Sequence, residues 1–97
     1  MPAYFIVSIN VTAESNVERY RGYIEKVKPI VESYGGRYIV RSEKIQHIVG
    51  EWKPDRVIVI EFPSAERISE CFSSPEYKAV ESDRSESVVT SGIVVMS

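Results

Sequence analysis

The first segment of the chain has the side-chain pattern of a β-strand. Residues 3–11, AYFIVSINV, are rich in aromatic and β-branched residues, as strands are. Because side chains alternate between the two faces of a strand, Phe5, Val7 and Ile9 share one face. The opposite face carries Tyr4, Ile6, Ser8 and Asn10. Both faces of this strand are therefore partly apolar.

The second segment has helical periodicity. Ser15 followed by Glu18 is a capping-box pattern, which predicts a helix start. Apolar residues then recur at steps of three and four and form one continuous stripe: Val17, Tyr20, Ile24, Val27, Val31 and Tyr34. Pro29 lies inside this stripe and predicts a bend or a detached last turn, because its nitrogen cannot donate a hydrogen bond. Gly35 and Gly36 predict the end of the helix.

The remaining sequence predicts three more strands and further helical turns. Residues 37–43 form the second strand, which the segment 45–50 can continue after a break at Lys44. Residues 56–62, RVIVIEF, form the third strand, and residues 92–97 form the fourth. Ser64 is the predicted N-cap of a second helix, and Ser74 with Pro75 marks another short helical start. The polar segment 82–91 predicts a loop or a frayed helix end.

This order of elements predicts one α+β domain over residues 1–97. Strand, helix, strand, strand, helix, strand is most simply the ferredoxin-like βαββαβ antiparallel sheet with helices on one face. The face left uncovered is also apolar, since it carries Val57 and Val59 of the third strand and Ile6 of the first. Pairing two such faces would bury roughly 800 Å² per partner and contribute on the order of 20 kcal/mol before association costs. The sequence therefore predicts a homodimer through the sheet face.

Composition narrows the possible partners and location. The chain has 12 Lys and Arg against 14 Asp and Glu, and its basic residues are scattered. This argues against a nucleic-acid surface, which needs a concentrated basic face. No apolar run approaches the ~20 residues of a membrane span, and the start of the sequence predicts no signal peptide. The single cysteine, Cys71, excludes an internal disulfide and predicts a cytoplasmic location.

Glu61 is a carboxylate inside a strand that otherwise reads as buried. It shares the face of Val57 and Val59, so it needs a cation, a donor network or water. Its natural partners are Arg37, Arg41 and Arg56. Two interpretations stay open: a structural ion pair or wet rim, and a group that faces a ligand.

Other candidate residues carry weaker signals. His47 has the chemistry of a general base, but no orienting carboxylate is evident, and Cys71 reads as a small core residue. Trp52 is either a lid over a cavity mouth or a cover for the dimer edge, and the Tyr77 ring is expected on the sheet. The weak catalytic candidates are thus Glu61 and His47, and the predicted ligand-binding residues are Asn10, Arg41, Trp52, Glu61 and Tyr77. Neither a metal nor a cofactor is expected, because no ligand spacing suggests one.

Four segments in this order resemble the family called domain of unknown function 1330. They are PAYFIVSINVT at residues 2–12, GGRYIVRSE at 35–43, GEWKPDRVIVIEFPS at 50–64 and SPEYKAV at 74–80. The resemblance implies membership of the dimeric α/β-barrel superfamily, whose members pair two ferredoxin-like sheets, and it implies no established activity. That superfamily includes cofactor-free monooxygenases and haem-degrading proteins. The haem-degrading members bind haem through a histidine on a helix that follows the third strand. His47 precedes that strand, so the resemblance implies no haem site in this chain.

Three functional hypotheses follow. The first is a homodimeric protein that binds a small molecule in a cavity near the sheet. The second is a small cofactor-independent enzyme, monooxygenase-like or isomerase-like, acting on an aromatic or acidic metabolite with Glu61 or His47 as base and Arg41 fixing an anion. The third is a protein whose sheet face binds a different chain.

Overall fold

The computed structural model describes residues 1–97 and contains a four-stranded antiparallel sheet with helices packed on one face. The elements in chain order are β1 (Ala3–Asn10), α1 (Val17–Ser33), β2 (Arg37–Ser42), β3 (Arg56–Phe62), α2 (Ala65–Ser73), α3 (Pro75–Lys78), α4 (Glu81–Ser85) and β4 (Val89–Met96). The strand order is β2-β3-β1-β4. The predicted ferredoxin-like α+β fold is confirmed. None of the helices is long and apolar enough to cross a bilayer.

The core lies between the sheet and the helices. Phe62 and Ile60 of β3 and Ile9 of β1 meet the apolar stripe of α1, including Val31, and all four side chains are buried. Their alternate neighbours along the strands point to the uncovered face, as the sequence predicts. That face carries six apolar side chains that are exposed or only partly buried: Ile6, Val40, Val57, Val59, Ile93 and Val95.

Helix α1 begins one residue later than the capping-box pattern predicts. The Asn16 side chain accepts a hydrogen bond from the Arg19 backbone N–H at 3.0 Å, so Asn16 is the N-cap. Ser15 instead accepts from the Thr12 N–H at 2.8 Å within the preceding turn. Of the two outcomes predicted at Pro29, a bend or a detached last turn, the detached turn does not occur, because the helix continues to Ser33. Pro29 lies on the exposed side, while Val31 on the buried side holds this turn to the core.

The end of α1 is a Schellman turn. The Gly36 N–H donates to the Val31 carbonyl and the Gly35 N–H donates to the Glu32 carbonyl, both at 3.0 Å. Gly35 has φ of 85°, a conformation that favours glycine. Gly36 is buried against Val31 and Phe62, with no space for a side chain. The sequence prediction of a stop at these two residues is confirmed.

Two boundary predictions are wrong. The segment 45–50 does not extend β2, because residues 43–55 form a loop anchored at its far end. There the Asp55 carboxylate accepts from the Val11 N–H at 2.7 Å, and the Asn10 amide donates to the Lys53 carbonyl at 3.1 Å. Within the polar segment 82–91, α4 ends and β4 already begins at Val89. An edge strand tolerates an exposed polar residue such as Ser91 because one side of the strand borders solvent.

A β-bulge at Ile39 changes the direction of the side chains in β2. Tyr38 pairs with Ile60, whereas Val40 pairs with Val59, so one residue of β2 has no partner in β3. Side chains beyond the bulge therefore lie on the face opposite to the one that simple alternation gives. Simple alternation along the strand would put Arg37 and Arg41 on the same face, but the bulge places them on opposite faces.

Ion pairs join α4 to α1. Asp83 accepts from the Arg19 Nε at 3.0 Å and pairs with the Lys26 Nζ at 3.2 Å. The hydrogen bond from Arg19, and then that from Lys26, lowers the pKa of the Asp83 carboxyl below its ordinary value of 3.8.

Acidification is expected to weaken this junction. Because the pKa of Asp83 is depressed in the folded protein, the stability it contributes is present above pH 3.8 and is lost as the pH falls through the folded value. Asp83→Asn should therefore flatten the acid side of the stability–pH curve, measured by urea unfolding at a series of pH values. Glu25→Gln, an equal charge change on α1 outside any ion pair, is the control. An unchanged acid limb in Asp83→Asn would contradict the assignment.

Candidate functional site

A cavity of about 430 Å³ lies between the sheet and the helices. All four strands and all four helices contribute to its walls. Most of the lining is apolar, including Phe5, Val7, Ile24, Ile58, Phe72 and Val94. A cavity of this size and character, with a few polar groups, is the usual form of a small-molecule site.

Three polar side chains meet at the helical wall of the cavity. The hydroxyl groups of Tyr23 on α1 and Tyr77 on α3 are 3.1 Å apart. The Nε of Arg84 on α4 donates to the Tyr77 hydroxyl, also at 3.1 Å. The short helix that holds Tyr77 starts at Ser74, whose side chain accepts from the Tyr77 N–H, so capping fixes the position of this tyrosine. We call Tyr23, Tyr77 and Arg84 the tyrosine–arginine cluster.

The phenol groups of Tyr23 and Tyr38 are protonated at neutral pH and can donate hydrogen bonds. Burial, followed by the hydrogen bond to Tyr77, raises the pKa of Tyr23 far above its ordinary value of 10. Burial raises the pKa of Tyr38, on the β2 side of the cavity, to about 12, although the neighbouring Arg41 acts in the opposite direction. Protonated phenols can donate to a ligand oxygen, but they are poor bases.

The β2 and β4 sides of the cavity add two further polar groups. The bulge turns Arg41 to the helix-covered face, where its guanidinium lies 5.2 Å from the centre of the Tyr38 ring. The hydroxyl of Thr90, on β4, is shielded from solvent and has no hydrogen-bond partner in the protein.

The predicted ligand-binding residues divide between the cavity and other places. Arg41 and Tyr77 line the cavity. The Asn10 side chain makes one of the hydrogen bonds that anchor the loop of residues 43–55. Trp52 and His47 are exposed within that loop. The structure does not bring these three residues to the cavity, and their functional roles stay predictions.

Glu61 lies on the uncovered face of the sheet. The Arg37 guanidinium donates to its carboxylate at 2.7 Å. This hydrogen bond, assisted by one from Tyr4 and opposed by burial, lowers the pKa of Glu61. The two other suggested partners are elsewhere, since Arg41 faces the cavity and Arg56 pairs with Glu43 at 3.3 Å. The arrangement is that of an ion pair between neighbouring strands.

Two residues of the tyrosine–arginine cluster, Tyr23 and Arg84, are not among those that the sequence predicts as functional. Tyr23 falls one position before Ile24 on α1, and Arg84 sits in a segment that reads as a loop. A usable signal was present, because a tyrosine on the buried side of a helix needs a partner for its hydroxyl. Cys71 is fully buried as predicted, and burial raises the pKa of its thiol to about 11. No group of three His, Cys, Asp or Glu residues is arranged to hold a metal ion.

The sheet topology and the cavity define a class: ferredoxin-like α+β proteins with a small-molecule-sized cavity between sheet and helices. Residues 2–97 match the family described as "Domain of unknown function (DUF1330)". The chain belongs to this family, which confirms the resemblance seen in the sequence. Comparison with curated proteins gives no match.

Solved structures share the fold at low sequence identity. RPA0582, a protein of unknown function from Rhodopseudomonas palustris, is 18% identical, with a TM-score of 0.81 over 97% of this chain and 80% of that chain. SnoaB, a cofactor-independent oxygenase from Streptomyces nogalater, is 7% identical, with a TM-score of 0.70 over 99% and 92% of the chains. A dimeric protein of unknown function and ferredoxin-like fold from Bacteroides fragilis is 13% identical, with a TM-score of 0.58 over 99% and 96%. At these identities the likeness concerns the fold alone.

Proposed function

We propose that this protein is a homodimer that binds a small, largely apolar molecule in the cavity between its sheet and its helices. The observation that carries the proposal is the cavity itself, with its apolar walls and its few converging polar side chains. A cavity of about 430 Å³ is within the range of small-molecule sites. The protein would hold its ligand by apolar burial and orient it by hydrogen bonds.

The homodimer is supported by the uncovered face of the sheet. Ile93 is 60% exposed and Val95 is 42% exposed, and the centre of this face carries Val57 and Val59. A contiguous apolar patch of this kind is typical of an interaction surface. The structurally similar protein from Bacteroides fragilis is described as dimeric. A second copy of the chain is therefore the partner proposed for this face.

Cavity binding is testable with a neutral naphthalene dye, prodan, whose fluorescence reports transfer from water to an apolar site. Val94 lines the cavity, whereas Val95 faces the other side of the sheet, and the two are 41% and 42% exposed. Val94→Phe should weaken prodan binding about tenfold, because the larger ring takes up cavity volume. Val95→Phe is the matched control and should leave the affinity unchanged. Equal effects of the two substitutions, or no binding to the wild type, would contradict the proposal.

The alternative is a cofactor-independent enzyme acting on an aromatic or acidic metabolite. The tyrosine–arginine cluster supports it, as does the fold shared with SnoaB. Glu61 and His47 do not line the cavity, and their role as base stays a prediction. Oxygen uptake in the presence of an electron-rich hydroxylated naphthalene separates the two functions. A binding protein gives the rate of the protein-free control, whereas an oxygenase exceeds it.

A further inference from the structure

The arginines fall into two groups by their partners. Five of them form ion pairs with carboxylates: Arg19, Arg21, Arg37, Arg56 and Arg67. Arg41 and Arg84 have no carboxylate partner, and these two line the cavity. The two arginines without a carboxylate partner thus both place their positive charge at the cavity, in a protein whose formal net charge is −2.

No free carboxylate balances this charge. Glu81 lines the cavity as well, but its carboxylate is paired with the Lys78 Nζ at 3.5 Å. Arg84 is only partly exposed and rests on Tyr77, and Arg41 rests on the Tyr38 ring. A partly buried guanidinium without an anion is unfavourable, whereas one that meets a carboxylate gains charge-assisted hydrogen bonds. The cavity is therefore complementary to an anion.

The hydroxyl hydrogens of the tyrosine–arginine cluster also favour an anionic ligand. Tyr23 and Tyr77 carry one hydroxyl hydrogen each, and one of these is used between them. Arg84 can only donate, so it cannot accept the second hydrogen. No protein acceptor takes that hydrogen in the structure. The cluster thus offers an O–H donor and a cationic guanidinium side by side, to which a ligand oxygen can bind.

We propose that the ligand of this cavity is an aromatic carboxylate. Its flat apolar ring would lie against Phe5, Phe72 and the sheet, and its carboxylate would bind the Arg84 guanidinium and the free hydroxyl of the tyrosine pair. Arg41, on the β2 wall, attracts the anion but is exposed and binds it less strongly. This inference rests on the proposed function and adds the chemical class of the ligand.

The test compares naphthoate with naphthamide, which has nearly the same shape without the charge, by isothermal titration calorimetry. The wild type should bind naphthoate about tenfold more tightly, as expected for hydrogen bonds to a charged group. Arg84→Gln should abolish this preference while naphthamide binding is retained. Arg67→Gln, at an arginine outside the cavity that pairs with Glu70, is the matched control and should keep the preference.

The possible outcomes separate the inference from the proposed function. If naphthoate, naphthamide and prodan all fail to bind, cavity binding itself fails. If naphthamide binds as tightly as naphthoate, cavity binding stands and the carboxylate inference is overturned. A preference that persists in folded Arg84→Gln overturns Arg84 as the anchor. If Arg84→Gln does not fold, Arg84→Lys and Arg41→Gln take its place, with the preference expected to fall about threefold in each, and full retention in both overturns the inference.

Discussion

Gly36→Ala is expected to lower the free energy of unfolding by about 1–3 kcal/mol, as overpacking in a core does. A Cβ at this position would overlap the Val31 Cγ1 and would lie 2.9 Å from the Val31 carbonyl oxygen and 3.0 Å from the Phe62 ring. The backbone of the helix end cannot move away, because the Gly36 N–H is bonded to that same carbonyl. Urea unfolding followed by circular dichroism measures the effect, at one protein concentration because the stability of the proposed dimer would depend on concentration.

Gly22→Ala is the matched control for this substitution. Gly22 lies inside α1, and a Cβ there would have no heavy atom within 4 Å. Since alanine is the better helix former, this variant should gain about 0.5–1 kcal/mol. A Gly36→Ala variant as stable as the wild type would mean that the turn after α1 adapts, and the described packing would then be wrong.

Val59→Asp is expected to convert the proposed homodimer to single chains. Val59 lies on β3 at the centre of the uncovered face, between Ile6 and Val40 of the neighbouring strands. In a symmetric dimer each chain would contribute one such carboxylate to the middle of an apolar interface. Both carboxylates would be buried without a counter-charge. Size-exclusion chromatography with light scattering measures the mass directly.

Val17→Asp is the matched control for the dimer. Val17 is 40% exposed and starts α1 in the helical layer, away from the sheet face, so this variant should keep the mass of the wild type. A single-chain mass for the wild type would refute the proposed homodimer. It would leave the hypothesis that the sheet face binds a different chain.

The sequence was sufficient for the elements whose apolar pattern matches their geometry. The alternation in β1 and β3 and the stripe of α1 placed the strands, the long helix and the buried face correctly, because burial enforces these periods. It was insufficient where local hydrogen bonds decide the outcome. Asn16 competes with Ser15 as a cap, and only the position of the preceding turn selects between them. The start of β4 depends on pairing with β1, which no local pattern reveals.

The candidate site was harder to predict than the fold. The sequence predicts Tyr77 and Arg41 as binding residues. The cavity joins them to Tyr23, which precedes Tyr77 by 54 positions, and to Arg84, which follows Tyr77 by 7 positions. Glu61 is a carboxylate in an apolar strand, and the sequence predicts that it needs a partner. The parity of β3 placed it correctly opposite the helices, and the partner that neutralises it is Arg37. Which polar side chains converge depends on three-dimensional packing, and on a bulge that leaves no signature in composition.

Because of the unpaired residue at position 39, the arginines at the two ends of β2 lie on opposite faces of the sheet. Arg37 neutralises a carboxylate on one surface of the sheet, and Arg41 adds charge to the compartment on the other. Removing one residue here would move every side chain on one side of position 39 to the opposite face of the sheet. Insertions and deletions in this strand are thus a direct route by which a protein of this fold gains or loses a cation at the cavity, with no change of amino-acid type.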